Sequence, residues 1–248
     1  MRRRTVVLCY HAISDEWRHD LAVTPRALEL HLRSLLLRGF RPVSAGEAVE
    51  RGGRALHVTF DDGFRNVGPG LPVLERLGIP ATVFVVTSYA GDGGPVGVPE
   101  LAAERDRHAE HLATMDWDAL RALVERGVEV GSHTVTHAHL GRLDDAELAR
   151  ELRDSRGRCE DELGRPCRYL AYPYGEHDER AQRAARAAGY RAAFALASGA
   201  DARNRYAFPR VDLYGYDGVV RASVKTSPLG RPLAKALWRL RRVGRGAA

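Results

Sequence analysis

Long apolar runs, usefully spaced cysteines and lysine are what this 248-residue chain lacks. No run approaches the roughly 20 apolar residues a bilayer span needs. The opening Met1-Arg2-Arg3-Arg4, followed by Thr5-Val6-Val7-Leu8-Cys9, has the look of a secretory leader. Its apolar stretch is too short, however, and runs into Tyr10-His11 with no small-residue cleavage site. The expected location is therefore cytoplasmic. Cys9, Cys159 and Cys167 lie too far apart, or at the wrong spacing, for a disulfide framework or a thiolate zinc site. Cys9 falls in the first apolar run and reads as a small core residue. Lys225 and Lys235 are the two lysines among 38 basic residues, a bias that fits coding preference better than arginine-specific recognition. No basic, aromatic-rich strand or recognition helix is present, which argues against nucleic acid as a partner.

What is present is an alternation of β-type and helical patterns without a linker. Strands are expected at 5–10, 55–60, 81–86, 128–131, 169–171, 192–195 and about 207–210. Helices are expected at 25–38, 67–77, 117–125, 144–163 and 178–188. Thr24 caps the first helix, with Pro25 at its first position and Gly39 past its end. Asp116 and Gly127 bracket the helix from Trp117 in the same way. This order predicts one parallel α/β domain. With about seven strands, the expected architecture is a single-domain, distorted (β/α)7-type barrel. The segment 88–114, Gly-rich at its start and then highly charged, is expected as a long surface loop, either a lid or a plain solvated insertion.

The formal charge of +6 is concentrated at one end. From Gly218 onward there are eight bases (Arg221, Lys225, Arg231, Lys235, Arg239, Arg241, Arg242, Arg245) and no acid; without them the remainder is slightly negative. Leu229, Leu233, Ala236, Leu237 and Leu240 would share one face of a helix, opposite Arg231, Lys235, Arg239 and Arg242. A basic amphipathic tail over 218–248 is thus expected. It is suited either to peripheral contact with an anionic membrane or to docking on the barrel.

Two polar clusters carry the chemistry. Asp61-Asp62-Gly63 follows the strand ending at Phe60, and Ser132-His133-Thr134-Val135-Thr136-His137 follows the strand ending at Gly131. Residues at strand C-terminal ends are where parallel α/β folds place their sites. His133 and His137, four apart, would share a face on a helical turn. With one carboxylate they make a two-His-one-carboxylate set for a single divalent ion, Zn2+ above all, with Co2+, Ni2+ or Fe2+ as alternatives. Two adjacent ionised carboxylates at a buried strand end repel unless a cation is present. If Asp62 is the ligand, Asp61 is left as general base for a water acidified by the metal.

These residues resemble a family. Thr59-Phe60-Asp61-Asp62-Gly63, His133-Thr134-Val135-Thr136-His137 and Ala171-Tyr172-Pro173-Tyr174-Gly175 are similar, in order, to three motifs of the polysaccharide deacetylases (carbohydrate esterase family four, the NodB homology domain). The resemblance runs from about Thr5 to Leu213, so residues 1–217 are expected to be the catalytic domain. It implies metal-dependent removal of acetyl groups from an N-acetylated carbohydrate. Asp61 would then be the base, Asp62, His133 and His137 the metal ligands, and the Tyr174 N–H a donor to the oxyanion. Read from the residues themselves, Tyr172, Pro173 and Tyr174 are candidate substrate contacts, the two tyrosines as a sugar-stacking wall or as plain rim packing at a strand end.

The chain also departs from the family pattern. Ala171 stands where many members have an arginine that orients the base, and Arg210 at the last strand end is the candidate replacement, the other reading being a rim arginine or surface salt bridge. The late histidine that serves as general acid is missing. Tyr10-His11 resembles the N-terminal Tyr-His of the subgroup acting on poly-N-acetylglucosamine exopolysaccharides, so His11 is the expected acid. His57 reads as structural, and His139 and His177 as supporting or loop residues. Other readings of the same sequence are a linear or cyclic amide hydrolase on this fold, an iron oxygenase (which the spare Asp61 argues against), and a degenerate glycan-binding module.

Overall fold

The computed structural model describes residues 5–196 and 200–227. In chain order its elements are β1 (Val6–Tyr10), β2 (Ala12–Ile13), β3 (Ala22–Val23), α1 (Pro25–Leu37), β4 (Arg41–Pro42), α2 (Ala45–Glu50), β5 (Ala55–Phe60), α3 (Leu71–Leu77), β6 (Ala81–Val85), α4 (Ala102–His108), α5 (Trp117–Glu125), β7 (Glu129–Ser132), α6 (Asp145–Leu163), β8 (Tyr169–Ala171), α7 (Glu179–Ala187), β9 (Ala192–Ala195), β10 (Phe208–Pro209), β11 (Val211–Asp212) and α8 (Val219–Lys225). The main sheet runs β10-β9-β8-β7-β6-β5-β1-β11, with β4 added on β5, and the pairings are parallel.

Closure of this sheet depends on one short segment. β10 pairs with β9 and β11 pairs with β1, yet only Arg210 separates them. The Arg210 N–H donates to the Ala195 carbonyl at 2.8 Å, and the Leu213 N–H to the Cys9 carbonyl at 2.9 Å. The two ends of the sheet are therefore stitched by consecutive residues, and the sheet curls into a nearly closed barrel.

Local sequence explains the elements. The strands β1, β5 and β6 are buried throughout, as expected where helices cover one face and barrel contents the other. On α1, Thr24 accepts from the Ala27 N–H, and Leu28, His31, Leu32 and Leu35 form the buried stripe. Asp116 caps α5 by accepting from the Ala119 N–H. Asp144 and Glu147 form a capping box on α6, which ends at a left-handed Gly164. One buried cluster, including Val7, Phe84, Tyr169, Ala171, Phe194 and Phe208, occupies the barrel and takes in Ala45, Ala48 and Val49 of α2. Gly131 is required there, because a Cβ would meet Phe84 at 2.6 Å and the Tyr169 carbonyl at 2.9 Å.

The structure revises several expectations. Segment 88–114 is not a simple surface loop: it contains α4, and it buries Val96, Val98, Leu101 and Leu112 against Trp17 and Phe64. The helix expected at 67–77 starts as a 3-10 turn over Arg65–Gly70, where Pro69 sits between two glycines, before α3 begins. The last expected strand, about 207–210, is the short β10, and β11 beyond Arg210 was not expected. Helices α2 and α8 and the short strands β2–β4 were not expected. The stretch expected as a tail begins with α8, held on α1 through Ser34–Ser223 and Arg38–Thr226 hydrogen bonds; residues 228–248 lie outside the described residues. No helix among the described residues is long and apolar enough to cross a membrane.

His57 is a structural histidine. It is buried on β5 with Nδ1 donating to the Val43 carbonyl (2.9 Å) and Nε2 2.9 Å from the Thr82 hydroxyl. Burial pushes its pKa down to about 4 from the ordinary 6.5. The unfolded chain therefore takes up a proton that the fold refuses. The stability this residue carries is full above pH 6.5 and lost as pH falls through about 4, a total of about 3 kcal/mol. Urea unfolding between pH 7 and pH 4 should show a declining stability, and His57→Gln should flatten that slope.

Candidate active site

The C-terminal ends of β1, β5, β7, β8 and β10 deliver His11, Asp61 with Asp62, His133, Tyr172 and Arg210 in turn. Asp61 is held first by the backbone, its N–H donating to the Tyr10 carbonyl at 2.9 Å. Arg210 grips its carboxylate in bidentate fashion, Nη1 on Oδ1 at 2.6 Å and Nη2 on Oδ2 at 2.8 Å. The same Nη1 also reaches the Thr59 hydroxyl at 3.0 Å, and the guanidinium lies over the Phe84 ring. The structure thus pairs Arg210 with Asp61, buried at the strand ends.

The electrostatics separate the two neighbouring carboxylates. Burial opposes charge on Asp61, but the Arg210 guanidinium outweighs it and holds the carboxyl well below the usual range. Burial pushes Asp62 up, against the pull of His11 and His133. Asp61 is therefore held in its ionised form, whereas burial opposes the charge on Asp62 and a nearby positive charge favours it.

His133 and His137 supply the setting for that charge. His133 Nδ1 donates to the Ala171 carbonyl at 2.8 Å, which fixes the tautomer and leaves Nε2 with its lone pair. Nε2 of His133 lies 3.5 Å from Asp62 Oδ1, and Nε2 of His137 lies 3.3 Å from the same oxygen. Asp62 Oδ1 is nevertheless buried without a hydrogen-bond partner. Burial pushes both imidazoles down to about 4, so they are neutral near pH 7. Two neutral nitrogens and an anionic oxygen converging on one point fit a divalent cation and explain why that oxygen has no other partner. The donor set Asp62, His133 and His137 lies within 4.8 Å.

The histidine pair does not converge by a helical turn, as its spacing suggested. Residues 133–137 are a loop in which Thr134 (φ 71°) and His137 (φ 61°) take left-handed conformations. Glu151 of α6 secures this loop: its carboxylate accepts from the Val135 and Thr136 N–H groups and from the Thr136 hydroxyl at 2.7–3.0 Å. The remaining non-glycine residues with positive φ among those described are Asp62 and Tyr174. All four such residues belong to the motifs of this site, where stored backbone strain is usual.

The other expected site residues divide. His11 is half-buried at the end of β1, with a ligand nitrogen within 4.8 Å of the Asp61 carboxylate and its ring stacked toward Tyr214 at 6.3 Å. Tyr174 stands at the rim, stacked on His139 at 3.9 Å and edge-on to His137 at 4.6 Å, with its hydroxyl donating to Glu100 at 3.2 Å. Tyr172 is not a sugar-stacking wall. It is fully buried and its hydroxyl donates to the Tyr206 carbonyl; β-strand alternation turns it away from the inward-facing Ala171 and into the layer beneath the helices. Pro173 is buried as well. His177 stacks on Tyr172, at 5.3 Å. Cys9 is more than core filling, because its thiol donates to Asp61 Oδ2 at 3.3 Å, and burial keeps it protonated. Neither Cys9 nor Glu151 carries a local signal that would have revealed this role.

A parallel barrel that gathers paired carboxylates, two imidazoles and a guanidinium at its strand ends has the side chains a hydrolase would need. The sequence profile of the family "Polysaccharide deacetylase" matches residues 48–193, and the chain belongs to that family. It is 26% identical over 215 residues to YxkH of Bacillus subtilis (strain 168), covering 83% of this chain and 70% of that one. It is 32% identical over 130 residues to a chitooligosaccharide deacetylase of Bradyrhizobium sp. (strain ANU 289), covering 50% of this chain and about half (48%) of that protein. The crystal structure of a polysaccharide deacetylase from Bacillus cereus matches with a TM-score of 0.70 at 23% identity, over 90% of this chain and 68% of that one, a likeness of fold.

Calorimetric titration of the metal-free protein with Zn2+ should show one tight site. His137→Ala should weaken it by more than the roughly 10–100-fold that follows loss of an outer partner. Tyr172→Phe should leave metal and substrate binding unchanged and cost about 1 kcal/mol of stability; a raised KM in this variant would return Tyr172 to the substrate wall.

Proposed function

We propose that this protein is a metal-dependent N-deacetylase that hydrolyses acetamido groups of an N-acetylhexosamine-containing glycan or glycolipid, with Zn2+ as the ion. The observation that carries this reading is the unequal treatment of two adjacent carboxylates: Asp61 is locked in its ionised form by Arg210, while Asp62 faces two neutral imidazoles. The Bradyrhizobium relative, a chitooligosaccharide deacetylase, supports an N-acetylated sugar as substrate.

Asp62, His133 and His137 would hold the ion, which when bound polarises the amide carbonyl and makes a water molecule acidic enough to react near neutral pH. Asp61 Oδ2, 3.8 Å from His133 Nε2, lies beside that donor set and takes the proton from the attacking water. With its pKa held so low, Asp61 is a weak base by itself and depends on that acidification. The bidentate grip of Arg210 keeps the carboxylate in one orientation, so no reorganisation accompanies the proton transfer. The Tyr174 N–H is assigned to the oxyanion, and the exposed part of the Tyr174–His139 stack to a sugar ring. As the carbon–nitrogen bond breaks, His11 gives a proton to the departing amine and acetate is left behind.

Acetate release from N-acetylglucosamine oligomers tests the assignment. Chelation should abolish it and Zn2+ restore it. Asp61→Asn should lower kcat by about 10²–10⁴-fold, with metal binding retained. His11→Ala should lower kcat on the native amide far more than on an acetyl ester whose leaving group needs no proton. An Asp61→Asn enzyme within a few-fold of wild type would remove Asp61 as base.

A further inference from the structure

The large hydrophobic side chains exposed among the described residues are Leu30, Leu37, Tyr216, Val220 and Val224. All belong to α1, α8 or the turn that leads into α8. The two helices touch through Ser34 Oγ and Ser223 Oγ at 3.1 Å. Leu30 and Leu37 sit four before and three after Ser34, on its face of α1. Val220 and Val224 flank Ser223 on α8. Two packed helices thus carry most of these exposed apolar side chains, Leu37 at 89% and Val220 at 80% exposure. Exposed apolar surface gathered on one flank and rimmed by polar residues is a mark of a contact site.

The charges around this flank select the partner. Helices α1 and α8 carry Arg26, Arg33, Arg221 and Lys225 against one acid, Glu29, itself paired to Arg33 and Arg76. Asp217, at the foot of α8, is buried under Lys225 and Arg221. Beyond α8 the sequence adds Arg231, Lys235, Arg239, Arg241, Arg242 and Arg245 with no acid. A second copy of this flank, or the chain's own basic C-terminal residues, would bring like charges together. An anionic lipid surface offers both an apolar layer for the valines and leucines and negative headgroups for the bases. We propose that the α1/α8 flank is the face by which this protein lies on an anionic bilayer.

Co-sedimentation of the full chain with phosphatidylcholine vesicles, with and without phosphatidylglycerol, is the test. Binding should require the anionic lipid and fall as salt is raised. Val220→Ser/Val224→Ser, which leaves the charge unchanged, should weaken it by about tenfold or more, with the melting temperature and acetate release from soluble oligomers unaltered. Failure of the wild-type chain to bind anionic vesicles, or equal binding by the double variant, would overturn the proposal. So would a concentration-dependent dimer, abolished by the same pair of substitutions in the absence of lipid.

Discussion

The buried ion pair between Asp61 and Arg210 is the constraint on which the rest of the site depends. A carboxylate at a buried strand end, with a second carboxylate next to it in sequence, cannot remain ionised without compensation. Arg210 provides it through two short hydrogen bonds. The guanidinium is itself buried and is offset by Asp61, the Thr59 hydroxyl and the face of Phe84. Arg210 also occupies the single position between β10 and β11, where the sheet passes from β9 to β1. Closing the barrel and neutralising Asp61 are therefore one structural event. A shift in this segment would disturb both.

With Asp61 accounted for, Asp62 is free to face the imidazoles, and the loops around it are bent to suit. Asp62, Thr134, His137 and Tyr174 hold left-handed backbone conformations that cost energy in residues other than glycine. The surroundings enforce them: Glu151 ties down the 133–137 loop, and the Ala171 carbonyl fixes the His133 ring. At Gly175 a Cβ would collide with the Leu196 side chain, which confines that turn further. The donor set is thus positioned by its supporting residues rather than by regular secondary structure.

What could be read beforehand was local. Apolar runs, N-caps at Thr24 and Asp116 and glycines at helix ends located the strands and main helices, because each signal lies within a few residues of its effect. Asp61, Asp62, His133 and His137 were legible because two polar clusters at strand ends have no cheap alternative explanation. Arg210 needed more, since its partner lies about 150 residues away and only the motif position filled by Ala171 pointed to it. Tyr172 was misassigned because an aromatic at a strand end reads as a stacking wall until the in-and-out alternation that follows Ala171 turns it into the layer beneath the helices. Segment 88–114 was misjudged because its glycines and charges hid four spaced apolar residues, Val96, Val98, Leu101 and Leu112. Cys9 and Glu151 act through contacts that only tertiary structure creates.

A double-mutant cycle on stability, in the metal-free protein, tests the Asp61–Arg210 pair most directly. Urea unfolding would be measured for wild type, Asp61→Asn, Arg210→Gln and the double variant. Each single change leaves one buried charge unpaired and should cost about 3–5 kcal/mol. The double variant should lose much less than the sum, with a coupling of at least about 1–3 kcal/mol. Additive losses would contradict the pair as the site's organising interaction and leave Arg210 as a barrel residue that merely passes near Asp61.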